Sequence, residues 1–230
     1  MTGHKHRRLR PQFVLLCILL ALVLANASIL TLRLVRSRSG GFGGVFSRKP
    51  EADGVMVPDY VTENLLPANR YSRPGYELTD INGVVIHYVG NPATSAEANR
   101  NYFASLADGR EGTFASSHFI VGLEGEVIQC IPLTEMAYAS RDRNSDTVAI
   151  EVCHPDETGE FSDVTYASVV ELTAWLCRTF ALEPENDVIR HYDVTEKLCP
   201  LYYVEHPDAW DTFRADVAAA AALAAEEAIP

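Results

Sequence analysis

The sequence predicts an α/β domain, with a central mixed β-sheet flanked by helices, preceded by one N-terminal transmembrane helix. Three observations carry this expectation. Gly83 to Val89 is a continuous, β-branched run of the kind found in a buried strand. Strand-like and helix-like segments follow one another along residues 60–217, which implies an α/β layer. Residues 13–32 hold 20 consecutive positions without a charged side chain, enough to cross about 30 Å of hydrocarbon as a helix.

The elements are justified in chain order. Residues 1–12 are a basic N-terminus, with Lys5, Arg7, Arg8 and Arg10 before the apolar segment; Arg33, Arg36 and Arg38 follow it. This weak asymmetry, with a short basic start and a large C-terminal domain, favours an N-in, C-out signal anchor at the cell membrane. Ala25-Asn26-Ala27 also resembles a signal-peptide cleavage site, and cleavage there would make the protein secreted. The apolar run continues to Leu32, which favours the anchor, and either reading exports the main domain. Residues 33–59, with Gly40-Gly41-Phe42-Gly43-Gly44, Pro50 and Pro58, read as a flexible linker.

Beyond the strand at 83–89, Thr94-Ser95-Ala96-Glu97 has the form of a capping box and predicts a helix from about Ser95 to Leu106. Ser117–Val121 and Glu126–Ile131 flank Leu123-Glu124-Gly125 and read as a hairpin. Thr147–Cys153 is a second buried-strand run. Asp163 is the expected cap of a longer helix whose apolar positions Tyr166, Val169, Val170, Thr173, Leu176, Cys177 and Phe180 share one face. Asp187–His191 is a short strand. Pro207-Asp208 opens a final helix bearing Trp210, Phe213 and Val217, and residues 218–230 are an alanine-rich tail, expected to fray.

Charge and cysteine content narrow the function classes. Residues 1–50 hold nine of the 19 Lys/Arg and none of the 31 Asp/Glu, so the rest carries a formal charge of −21. Such a domain repels nucleic acid and anionic lipid, and the surplus reads as a solubilising surface. The five cysteines are not spaced as a dense disulfide framework. Cys130 and Cys153 would approach each other only if their strands were neighbours.

The residues that carry chemistry converge late in the chain. In Arg190-His191-Tyr192-Asp193-Val194-Thr195-Glu196-Lys197-Leu198-Cys199-Pro200, an imidazole and a thiol stand with seven residues between them, and a lysine sits two positions before the thiol. Together with His87 they would make three metal ligands and leave one position open, the pattern of a catalytic rather than a structural zinc. Glu151 is an isolated charge within the apolar run Ala149-Ile150-Glu151-Val152-Cys153, which is costly without a partner.

Four stretches, Val84-Val85-Ile86-His87-Tyr88, Ser116-Ser117-His118-Phe119-Ile120-Val121, Ala149-Ile150-Glu151-Val152 and His191 to Pro200, resemble the zinc-dependent N-acetylmuramoyl-L-alanine amidases, the type 2 amidase family that includes peptidoglycan recognition proteins and phage amidase lysozymes. The resemblance runs from about Val61 to Val217 and marks residues 60–217 as an amidase catalytic domain. It implies a Zn²⁺ bound by His87, His191 and Cys199, and hydrolysis of the amide between N-acetylmuramic acid and L-alanine in peptidoglycan. It further implies Glu151 as the catalytic carboxylate and Lys197 as the group that stabilises the oxyanion, and it leaves His118 open between a substrate contact and a buried, hydrogen-bonded histidine. Ser117 departs from a tyrosine found in some branches, which favours the glutamate version of the mechanism. Asp193 could orient a ligand histidine, although a cap or turn role fits its position better. The implied partners are peptidoglycan and, through residues 13–32, a membrane. Two rival readings are a non-catalytic peptidoglycan-binding or sensor module, and an enzyme with Cys199 as nucleophile and His191 as its base.

Overall fold

A computed structural model describes residues 52–78 and 80–227 of the chain. The expected anchor at 13–32, the cleavage site at Ala27 and most of the linker lie outside these residues. Among the described residues no helix is long and apolar enough to cross a membrane.

Six strands form one sheet: β1 (Val61–Glu63), β2 (Val84–Tyr88), β3 (Phe119–Val121), β4 (Val127–Gln129), β5 (Val148–Val152) and β6 (Val188–Arg190), in the spatial order β1-β4-β3-β5-β2-β6. The β3–β4 hairpin is antiparallel and every other pairing is parallel, so the expected mixed sheet is observed. The hairpin turn needs Gly125, whose φ of +81° suits glycine; an added Cβ would lie 2.7 Å from Ser168 Oγ.

The sheet is covered on both sides, as parallel strands require. One face presents Ile86, Phe119, Val121, Val148, Ile150 and Val152 to α2 (Asp163–Phe180) and to the last helix, α6 (Pro207–Glu227), which contribute Val169, Leu172, Leu176, Phe180, Phe213 and Val217. The opposite face carries Ile120 and Ile128, and packs on Phe103 and Leu106 at the end of α1 (Ala96–Ser105). Side chains alternate along a strand. His87 and Glu151 therefore share this second face, beside each other in the β2–β5 register.

Several boundaries differ from expectation for local reasons. Ser95, not Thr94, caps α1 by accepting from Ala98 N–H, while the Thr94 hydroxyl donates to the Asn91 carbonyl. Glu97 thus stands one place too early to close a capping box. Ser162 rather than Asp163 caps α2, leaving Asp163 in the first turn, where a carboxylate favours the helix dipole. Ala52, Val55 and Val57 pack on the core, so the domain begins before the expected linker end at 59. The final helix continues through the alanine-rich stretch to Glu227. Cys130 and Cys153 are buried free thiols; β3 lies between the strands they follow.

Candidate metal centre

The centre forms where β2, β5 and β6 deliver their C-terminal ends. His87 is fully enclosed on β2. His191 follows β6 directly and opens α4 (His191–Thr195). This short helix ends at Glu196, which adopts the left-handed conformation at φ 61°. The reversal brings Cys199 back so that its carbonyl accepts from Tyr192 N–H at 2.9 Å. The loop of residues 191–199 therefore sets the Cys199 thiol beside the His191 ring by local geometry.

Asp193 fastens the same turn. It accepts from Arg190 N–H at 2.8 Å, and its other oxygen takes the Arg190 guanidinium at 2.7 Å. Arg190 also donates to the carbonyl of Tyr203, in the middle of α5 (Leu201–Glu205). Asp193 thus caps and clamps, as its position suggested; its oxygens take the Arg190 N–H and guanidinium rather than an imidazole.

Among the described residues, His87, His191 and Cys199 bring their donor atoms within 4.8 Å of one another. His87 Nδ1 lies 3.1 Å from His191 Nδ1 and 3.9 Å from Cys199 Sγ. A tetrahedral zinc with nitrogen and sulfur ligands separates its donors by about 3.3–3.6 Å. These two distances bracket that spacing, while the set as a whole spans up to 4.8 Å, so the three donors suit the ion by type and direction and would draw together around it. Ser140 Oγ lies 3.1 Å from His87 Nε2, leaving Nδ1 free to ligate if Nε2 carries the proton.

Burial acts on all three ligands. It pushes His87 well below the usual histidine range, helped by His191 and Lys197. It takes His191 down to about 4, with Lys197 and Arg141 adding to the effect. It pushes the Cys199 thiol up to about 12, reinforced by Glu151. Neutral imidazoles are the ligating form, and a dication would reverse the penalty on the thiolate. The same shift counts against Cys199 as a metal-free nucleophile, because thiolate is the reactive species.

Glu151 stands next to this cluster. Its Oε1 lies 4.0 Å from His87 Nδ1, and its side chain is 18% exposed. Its Oε2 is sealed from solvent and has no hydrogen-bond partner. Burial pushes the carboxyl up to about 8, while Lys197 pulls in the opposite direction. Lys197 itself is exposed and joins Glu151 in lining a cleft of about 450 Å³. The rest of that cleft includes Asn91, Thr94, Asn99, Tyr102 and Phe103.

The structure thus brings together five of the six expected site residues. His118 stands apart. It is 1% exposed, accepts from Ala149 N–H on Nδ1, and lies 2.9 Å from the Glu135 carbonyl through Nε2. With both nitrogens committed to backbone, the ring ties β5 to the 135 segment and does not line the cleft. Ser117 is equally internal, its hydroxyl 2.8 Å from the Ala149 carbonyl. Ser140 and the cleft residues Tyr88 and Asn91 escaped sequence reasoning, since no spacing rule links them to the ligands. Asn99, on α1, also faces the cleft.

Three convergent soft-to-borderline ligands, an unpartnered carboxylate and an adjoining cleft define a candidate hydrolytic metal centre. The chain belongs to the N-acetylmuramoyl-L-alanine amidase family, whose profile matches residues 77–201. It is 32% identical over 169 residues to N-acetylmuramoyl-L-alanine amidase CwlL of Bacillus licheniformis, covering 68% of this chain and 46% of that protein. It is 30% identical over 173 residues to N-acetylmuramoyl-L-alanine amidase BlyA of Bacillus subtilis (strain 168), covering 66% of this chain and 45% of that one. The chain thus spans about half the length of the curated relatives it matches. Its fold is similar to the solved structure of PlyL, with a TM-score of 0.58 at 21% identity, covering 68% of this chain and 96% of that one. It is also similar to a mutant endolysin from Bacillus subtilis, at 0.57 and 24%, covering 70% and 99%.

Proposed function

We propose that this chain is a zinc-dependent N-acetylmuramoyl-L-alanine amidase that hydrolyses the amide joining N-acetylmuramic acid to L-alanine in peptidoglycan. The observation that carries the reading is the Glu151 carboxylate, with one buried oxygen unpartnered and the other 4.0 Å from a ligand histidine. An orphaned buried oxygen costs stability, and it is the acceptor that a water attacking a carbonyl requires. His87, His191 and Cys199 would hold the zinc, which when bound supplies a Lewis acid that polarises the scissile carbonyl and acidifies water.

In this scheme the cleft orients the muramyl peptide so that its amide lies between Glu151 and Lys197. Glu151 takes a proton from the attacking water and returns it to the leaving amine. Burial raises its affinity for that proton, while Lys197 and a bound dication would favour the carboxylate that accepts it. The Lys197 ammonium faces the oxygen that becomes negative as the carbonyl carbon turns tetrahedral. Ser140 keeps the His87 ring oriented throughout. Residues 13–32 would tether the domain to the outer face of the cell membrane, a reading supported by their uncharged, basic-flanked sequence. Recovery in the membrane fraction with an intact N-terminus tests the tether, and a mature protein starting at Ser28 would reject it.

Mass spectrometry of fragments from digested cell wall, with and without chelator, tests the activity. The expected result is free stem peptide whose alanine amine is newly exposed, lost with chelator and restored by zinc. Binding to wall without release would instead identify a non-catalytic module. Glu151→Gln should keep about one zinc per chain and lose activity by about 10²–10⁴-fold. Full activity in that variant would remove Glu151 from the mechanism.

A further inference from the structure

An aromatic cluster adjoins Ala115, which lines the cleft and whose N–H donates to the Tyr71 carbonyl. The rings of Tyr71 and Phe114 are 5.1 Å apart, and Tyr138 meets Phe114 edge-on at 5.4 Å. The Arg70 guanidinium lies 5.9 Å from the centres of both Tyr71 and Phe114. Burial raises the Tyr138 phenol pKa, and the Tyr76 side chain stands close enough to raise it further. Phe114 remains 45% exposed and Tyr76 60% exposed. Large apolar rings left open in one place, rather than scattered, mark a surface that meets something.

The cluster is built rather than incidental. Ala115 N–H donates to the Tyr71 carbonyl, Ser116 N–H to the Tyr138 carbonyl, and Met136 N–H to the Tyr76 carbonyl. Three separate segments are thus laced together by backbone. Gly109, at φ +71°, leaves room beneath Tyr71, whose ring an added Cβ would meet at 2.7 Å. The segment bearing Tyr138 continues to Ser140, which touches His87. The cluster is therefore continuous with the cleft on one side and with the metal ligands on the other. Arg70, Tyr71 and Tyr76 precede residue 77, where the family profile begins.

We propose that Arg70, Tyr71, Tyr76, Phe114 and Tyr138 form a carbohydrate-binding platform that holds a sugar ring of a glycan strand beside the metal centre. Aromatic faces carry negative charge density and attract the weakly positive C–H face of a pyranose. The domain's net negative charge gives no general attraction for an acidic polymer, so a neutral sugar recognised by stacking fits this surface better. Arg70 and the tyrosine hydroxyls supply donors for the sugar's hydroxyl and acetamido oxygens. The proposal rests on peptidoglycan being the substrate for the source of the glycan; the stacking itself does not.

The full chain, solubilised in mild detergent, would be titrated by calorimetry with a tetramer of N-acetylglucosamine, which has neither peptide nor scissile amide. A sugar-free stem peptide would be titrated in parallel. Phe114→Leu keeps apolar bulk but removes the ring, and Phe114→Tyr keeps the ring. The tetramer should bind the wild type and Phe114→Tyr alike, and bind Phe114→Leu about ten-fold more weakly, with peptide affinity and zinc content unchanged. Tyr76→Leu, at a more exposed position, should weaken tetramer binding in the same direction. No binding of the tetramer by the wild type, or equal binding by Phe114→Leu, overturns the proposal. A fall in peptide affinity instead of tetramer affinity overturns it too, by assigning the surface to the peptide arm. A chain that binds the tetramer but cleaves no wall amide would refute the amidase reading and leave the platform standing.

Discussion

Of the two readings open for His118, the structure has the geometry of the buried, hydrogen-bonded ring, a strut between backbone segments. The motif was legible in the sequence, but the partners of its two nitrogens come from backbone 31 and 17 positions away, and only the fold reveals them. Burial pushes this group down to about 4. A protonated Nδ1 would face the Ala149 N–H instead of accepting from it. The folded value lies below the unfolded one of about 6.5, so the unfolded chain binds the proton first. Stability from His118 is therefore complete above about pH 6.5 and is lost as pH falls toward about 4. Urea unfolding at pH 7 and pH 4 should show the wild type losing roughly 3 kcal/mol more than His118→Gln across that interval. Equal losses would mean that the ring is not held neutral. Glu151 presents the opposite case: its isolation in an apolar strand was visible in the sequence, and the structure sets it beside His87 with one oxygen unpartnered. Cys199→Ser should lower zinc affinity at least ten-fold without unfolding the domain, read by metal content after dialysis against a competing chelator.

At the scale of elements, the parallel strands were legible because continuous β-branched runs have few alternatives. The caps were less so, since Thr94, Ser95, Ser162 and Asp163 are all acceptable capping residues and tertiary packing chose between neighbours. Strand β1 escaped notice because three residues carry no period. The 191–199 loop is the element on which the centre depends. Asp193→Ala removes its clamp on Arg190 and should cost about 1–2 kcal/mol in chemical denaturation, with weaker zinc retention because His191 opens the same turn. Gly125→Ala should cost about 1 kcal/mol or more through strain at positive φ, with a normal zinc content, since the hairpin turn lies away from the ligands. Unchanged stability in either variant would contradict the local account given for it.

At the scale of the whole molecule, the family match ends at residue 201 but the hydrophobic core does not. Phe213 and Val217 on α6 are fully enclosed against α2. A chain truncated after Glu205 should lose cooperative unfolding, whereas one truncated after Val217 keeps those anchors and should retain it, as followed by near-ultraviolet circular dichroism on heating. The closure of Tyr192 onto Cys199 has a consequence for how metal and folding are coupled. His191 and Cys199 meet through a loop of nine residues, while His87 must arrive from a strand 104 positions earlier. Closing the short loop costs little entropy even in a denatured chain. The unfolded ensemble therefore keeps a two-point grip on zinc, and added zinc will raise the unfolding midpoint by less than its affinity for the native protein alone would dictate.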